Sequence, residues 1–149
     1  MFKLSSYYNQ PQFNNLNYYN IHEILIIYNV KLRYHMNTVT NDYDIHEKTI
    51  TLSWYSKYSI HRRFFHELGH HLLITNGFRS LKGIVAEYLC EFFVAKINGW
   101  ENKRCHRAAM TYVHEYRRGY KYVHYHLFIA NEAKDFLIKE ADKIKAQIW

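Results

Sequence analysis

Four His-Glu pairs punctuate this chain: His22-Glu23, His46-Glu47, His66-Glu67 and His114-Glu115. Only one is completed by a second histidine four residues after the first. That segment is His66-Glu67-Leu68-Gly69-His70, whereas Ile26, Ile50 and Arg118 stand at the corresponding places in the others. On a helix, residues four apart lie one above the other, so His66 and His70 can offer imidazole nitrogens to one metal ion. Glu67 sits on an adjacent part of the face. From there it can reach a water beside the metal without ligating the metal itself, as a general base must. Gly69 removes a side chain beside that site. With eleven histidines in the chain, chance alone yields this motif in about one sequence in twenty of such composition. The spacing therefore needs support from the elements around it.

A catalytic zinc takes three protein ligands and keeps a fourth position open. Two carboxylates follow the motif, Glu87 and, one helical turn later, Glu91. A third histidine in the metzincin pattern would fall at position 76, which is Asn76, with Leu73 where that pattern has glycine. The metzincin class is excluded, and a carboxylate is the better third ligand. Spacing alone leaves Glu87 and Glu91 both open.

Elements able to position these groups are legible around them. Phe64, Phe65, Leu68, Leu72 and Leu73 recur at three- and four-residue intervals after Ser59, and Asn76-Gly77 is a helix terminator. A second helix is expected from Leu81 to Asn98, carrying Val85, Leu89, Phe92, Phe93 and Ile97, with Gly99 at its end. A third is expected from Asn102 to Arg117 and a last one from Asn131, while residues 120–129 give no pattern. Upstream, the apolar run Ile21 to Ile27 is too short for periodicity to separate helix from strand, and helix is the expectation. Val30, Leu32 and Tyr34 alternate, as do Ile50 and Leu52, with Asn41-Asp42-Tyr43-Asp44 as punctuation. Residues 30–54 should form a small antiparallel meander. The expected fold is α+β, with one domain over 18–149 and a loosely ordered polar lead-in over 1–17.

Three segments in order carry a family resemblance. They are Thr49-Ile50-Thr51-Leu52, then Arg62-Arg63-Phe64-Phe65-His66-Glu67-Leu68-Gly69-His70-His71-Leu72-Leu73, then Glu87-x-x-Cys90-Glu91-x-Phe93-Val94-Ala95. Together, across about residues 30 to 98, they resemble the ImmA/IrrE family of small zinc metallopeptidases, glutamate-liganded zincins with a His-Glu-x-x-His motif. The resemblance implies a minimal zincin-like domain holding one zinc ion on His66, His70 and Glu87, with Glu67 as general base of an endopeptidase. It also implies a protein substrate such as a transcriptional repressor, in the setting of mobile-element regulation. Many members of that family carry an additional DNA-binding domain, for which no room is expected here. Cys90 stands where the pattern has alanine, Glu91 where it has Asn or Asp, and Asn98-Gly99 where proline is common. Glu91 is expected either to accept from the outer N–H of a ligand histidine or to be itself the ligand. His71 points about 100° away from His70 around the helix, so it is read as packed or solvent-facing. His106, His114, Tyr116, Tyr120, Tyr122, His124 and His126 are the expected pool for a donor to a tetrahedral oxyanion.

Composition bounds the alternatives. A formal charge of +7 favours anionic partners, but apart from Arg62-Arg63, Lys103-Arg104 and Arg117-Arg118 the positives are scattered. A solvated basic face is the plain reading. Tyr116 to Tyr125, interleaved with Arg117, Arg118 and Lys121, could stack on single-stranded nucleic acid, although packing explains such a stretch more simply. Cys90 and Cys105 make no disulfide framework. Without an apolar leader or a long apolar run, a soluble cytoplasmic protein is expected. Two rival functions remain: a non-catalytic zinc-binding regulatory protein, and a basic nucleic-acid-binding protein whose motif is accidental.

Overall fold

A computed structural model of the chain describes residues 18–36, 41–53, 60–81, 83–117 and 130–148. The expected lead-in over 1–17, Ser59 as the opening of the motif helix, and residues 120–129 lie outside them. Among the described residues the order is α1 (Tyr18–Ile27), β1 (Lys31–His35), β2 (Asp42–Asp44), β3 (Thr49–Ser53), α2 (Ile60–Thr75), α3 (Ile84–Ile97), α4 (Asn102–Arg117) and α5 (Asn131–Ile148). The class is α+β.

The ambiguous run after Tyr18 is a helix. It buries Ile21 and Ile24 and leaves Ile26 and Ile27 exposed. Asn29 ends it with φ +52°, a left-handed conformation that asparagine tolerates. There Val30 N–H reaches back to the carbonyl of Leu25 at 3.0 Å and the chain turns into β1.

The sheet corrects the expected antiparallel meander, because it is mixed and ordered β1-β3-β2. Strand β1 runs parallel to β3, with Leu32 opposite Ile50 and Tyr34 opposite Leu52. Strand β2 runs antiparallel to β3, with Tyr43 opposite Ile50. Burial explains the swap. All five residues of Thr49–Ser53 are buried, whereas Lys31, Arg33 and His35 on β1 and Asp42 and Asp44 on β2 are exposed. Charged strands suit edges, and the Thr-Ile-Thr-Leu-Ser strand suits the centre. Inserting β3 between strands that run in opposite directions makes one of its pairings parallel. The β2–β3 turn is held by Asp44 Oδ1, which accepts from the N–H groups of His46 and Glu47 at 2.8 and 2.9 Å.

Helix α2 buries the predicted stripe Phe64, Phe65, Leu68, Leu72 and Leu73. It ends where expected, with Gly77 at φ +90° and Phe78 N–H bonded to the Leu73 carbonyl at 2.9 Å. Helix α3 starts at Ile84 rather than Leu81, because Gly83 takes φ +62° and the helical path cannot extend back through it. This helix is the hub of the molecule, touching α2, α4 and α5. Phe93 meets Phe65 edge-on at 6.4 Å, and the Lys134 ammonium of α5 lies about 5 Å from the ring centres of Tyr88 and Phe92. Of its fourteen residues only Glu87 and Lys96 escape burial. None of the described helices is long and apolar enough to cross a membrane.

At Gly69 helix α2 approaches α3 closely. A Cβ added there would lie 3.0 Å from Cys90 Sγ and 3.3 Å from Cys90 Cα. The glycine therefore serves helix approach beside the histidines, since the Cys90 thiol it makes room for lies near both. Gly69→Ala gains about 1 kcal/mol of helix propensity, but the overpacking it forces costs about 1–3 kcal/mol. A net loss of about 1 kcal/mol is expected by denaturant titration, partly recovered in Gly69→Ala/Cys90→Ala. A double variant no more stable than Gly69→Ala would refute the contact's role.

Candidate metal centre

Helix α2 presents His66 and His70 one turn apart, their ring centres separated by 5.1 Å. Helix α3 brings the carboxylate of its first turn against both. Glu87 Oε2 lies 2.8 Å from His66 Nε2, and Glu87 Oε1 lies 3.2 Å from His70 Nε2. Three groups read from the sequence as one constellation thus converge from two helices. Burial by itself would raise the Glu87 carboxyl, but hydrogen bonds from the two histidines outweigh it and hold the group well below the usual carboxylate range. His66 answers in the opposite sense. Burial would lower it, yet Glu87 and Glu91 raise it well above the ordinary histidine value.

Glu91 occupies the other side of the His66 ring. Its Oε1 lies 3.3 Å from Nδ1, at an angle too poor for a full hydrogen bond. The same oxygen accepts from Arg62 Nη2 at 2.5 Å. Both partners are buried, Arg62 to 2% exposure and Glu91 to 1%. Of the two carboxylates left open by spacing, Glu87 meets the Nε2 atoms and Glu91 backs one imidazole. The arginine pair read as solvated basic surface is also corrected, since Arg63 is buried as well. Arg63 donates to the Ser53 carbonyl and, at 3.0 Å, to Asn41 Oδ1.

Glu67 is 7% exposed and lines an open cleft of about 230 Å³ together with Asn41, Asp42, Tyr43, His70 and Glu87. Burial raises its carboxyl pKa despite the neighbouring histidines. Among the described residues no hydrogen bond or salt bridge holds its carboxylate. A buried carboxylate with a raised pKa facing a cleft is suited to taking up a proton near neutral pH.

Other residues took roles that spacing did not reveal. Cys90 is fully buried, and burial pushes its thiol well up. One donor atom from each of His66, His70 and Cys90 nevertheless falls within 4.8 Å of the others, so Cys90 is a geometric alternative for a metal. His71 is packed rather than solvent-facing. Its Nε2 lies 2.8 Å from the Tyr28 carbonyl, which can only accept, so Nδ1 accepts from Tyr43 O–H at 2.6 Å. Tyr112 on α4 was missed altogether. Its hydroxyl donates to Glu87 Oε2 at 3.4 Å and its ring lies 5.5 Å from that of His66. Nothing in a chain with fifteen tyrosines marks this one. From the expected oxyanion pool, His106 is engaged by Tyr88 O–H at 2.6 Å and His114 is exposed, and neither lines the cleft. The Tyr116 side chain and Tyr120, Tyr122, His124 and His126 lie outside the described residues.

Comparisons with protein-family models, with curated proteins and with solved structures find no match to this chain.

The His66–Glu87 pairing sets a pH dependence for the protein without metal. A histidine raised in the folded state contributes stability that is complete below its unfolded value of 6.5 and is lost as pH climbs through the raised value. A carboxyl held low contributes above its ordinary 4.5 and loses that contribution as pH falls through the lowered value. Metal-free protein is therefore expected to melt highest between these two ordinary values and to lose stability on the alkaline side. Calorimetry across the pH range checks this, and a melting temperature that kept climbing above neutrality would contradict the pairing.

Proposed function

We propose that the chain is a zinc-dependent endopeptidase with a minimal zincin-like domain. The observation that carries this reading is the meeting of His66 Nε2 and His70 Nε2 with the two oxygens of Glu87, beside a buried Glu67 that has no hydrogen-bond partner among the described residues and faces an open cleft. Two imidazoles and a carboxylate are a donor set that suits catalytic zinc, with one position left open. In the absence of metal these donors hold one another through protons, which a cation would displace.

A zinc ion held by His66, His70 and Glu87 would supply Lewis-acid polarisation of a peptide carbonyl and make an attacking water acidic near neutral pH. Glu67 would take the proton of an attacking water and return it to the leaving amine. Glu91, held by Arg62, keeps the His66 ring oriented from behind, and Tyr112 steadies Glu87. By resemblance to the ImmA/IrrE family the substrate is a protein of the transcriptional-regulator kind. That step rests on analogy alone.

One observation favours a second reading, a non-catalytic zinc-binding regulatory protein. A zinc ion on His66, His70 and Cys90, whose donor atoms fall within 4.8 Å of one another, would use a thiolate in place of Glu87 and leave Glu67 without a role. Elemental analysis separates the readings at the first step. About one zinc per chain is expected, retained in Glu67→Gln and Cys90→Ala and lost in His70→Ala and Glu87→Ala. Loss of zinc in Cys90→Ala with zinc retained in Glu87→Ala would favour the thiolate site. No zinc after reconstitution would sink both readings. Cleavage of a protein substrate should fall by at least about a thousandfold in Glu67→Gln with zinc intact.

A further inference from the structure

The sheet side of the cleft holds a side chain whose polar capacity is half used. Asn41 Oδ1 accepts from Ser53 N–H at 2.9 Å and from Arg63 Nη1 at 3.0 Å. Two donors on one oxygen assign the amide's orientation, so its NH2 group is the other end. Ser53 and Arg63 are both buried, and Arg63 also donates to the Ser53 carbonyl, so the anchor is stiff. Asn41 lines the cleft with Glu67, His70 and Glu87, and among the described residues nothing accepts from its Nδ2. An aspartate would hold Ser53 and Arg63 more strongly, because its carboxylate would also pair with the guanidinium charge. Asparagine forgoes that pairing and presents two N–H donors instead.

What they would meet follows from the surrounding charge. Asp42, Glu67 and Glu87 line the same cleft, so an anionic acceptor would be repelled by three carboxylates, whereas a neutral one would not. The neutral acceptor that every peptide carries is its backbone carbonyl. We propose that Asn41 is a substrate-binding residue whose Nδ2–H donates to a backbone carbonyl of a peptide lying in the cleft, beside the bond on which Glu67 acts. This subsite rests on the peptidase reading.

Asn41→Asp removes the N–H donors while keeping an acceptor for Ser53 and Arg63, and the charge it adds acts on any zinc-bound hydroxamate alike, so the difference between two probes isolates the donor. Zinc-reconstituted protein is titrated calorimetrically with two metal-chelating probes, acetohydroxamate, which has no peptide, and the hydroxamate of a capped, uncharged dipeptide. Wild-type protein is expected to bind the dipeptide probe more tightly. Asn41→Asp should weaken it by about tenfold relative to acetohydroxamate, the worth of one good hydrogen bond, without lowering the melting temperature. In wild-type protein, with no substitution involved, the Asn41 side-chain amide resonances should move with the dipeptide probe and not with acetohydroxamate. Unmoved resonances, equal weakening of both probes, or a dipeptide probe no tighter than acetohydroxamate would overturn the subsite and leave the zinc reading standing. Failure of wild-type protein to hold zinc or acetohydroxamate would overturn the peptidase reading, and the subsite with it.

Discussion

The candidate centre depends on how closely α2 and α3 can pack. Glu87 reaches both Nε2 atoms only because Gly69 lets the Cys90 backbone approach to where a Cβ would stand 3.3 Å away. Cys90 lies between Glu87 and Glu91 in sequence, so the contact that sets the helix separation sits beside both carboxylates that face His66. An ordinary side chain at position 69 would push α3 outward and lengthen both sets of contacts at once. Helix α3 can accept so exact a seat because it is buried almost all round, with α4 and α5 behind it. A helix packed on every side has little freedom to slide.

Charge inside this packing is arranged for orientation more than for stability. Burying the Arg62–Glu91 pair costs several kcal/mol per ion before their attraction offsets it. The pair gains further contacts, since Glu91 faces His66 Nδ1 and the Arg62 guanidinium lies 5.4 Å from the Tyr112 ring centre. Tyr112 in turn reaches Glu87. The His66 imidazole is thus enclosed by groups that restrict its rotation. Glu67, one residue along the same helix and as deeply buried, is held by no hydrogen bond or salt bridge among the described residues. That contrast is what a ligand and a base require of neighbouring side chains, the one fixed and the other free to exchange a proton.

Helices α2, α3 and α4 and the His66–His70 pair were legible in sequence because they follow from local periodicity. The stripe Phe64 to Leu73, the terminator Asn76-Gly77 and the span Asn102 to Arg117 are short-range signals, and four-residue spacing alone puts His66 above His70. What could not be read depends on which element sits beside which. The parallel β1–β3 pairing arises from placing the buried Thr49–Ser53 strand between two charged edges, and alternation within a strand carries no information about its neighbours. Choosing Glu87 over Glu91 by geometry required the helix crossing. Arg62, Arg63, His71, Asn41 and Tyr112 acquire their roles only from partners up to 43 residues away, as in the contact between His71 and the Tyr28 carbonyl.

Arg62 and Arg63 show how much a single step along a helix can divide. Adjacent residues point about 100° apart, so two arginines that look like one basic patch in sequence leave α2 toward different partners. Arg62 turns to α3, where Glu91 stands behind His66. Arg63 turns to the sheet, where it joins Ser53 and Asn41. One arginine therefore steadies the side of the cleft that carries the histidines, and its neighbour steadies the side that carries Asn41. Both charges lie near the N-terminus of α2, where the helix dipole opposes them, so each needs its own acceptor. The acceptors differ in kind. A full carboxylate answers Arg62, where nothing but protein is met, while Arg63 is answered by a carbonyl and a neutral amide whose other end stays available to the cleft.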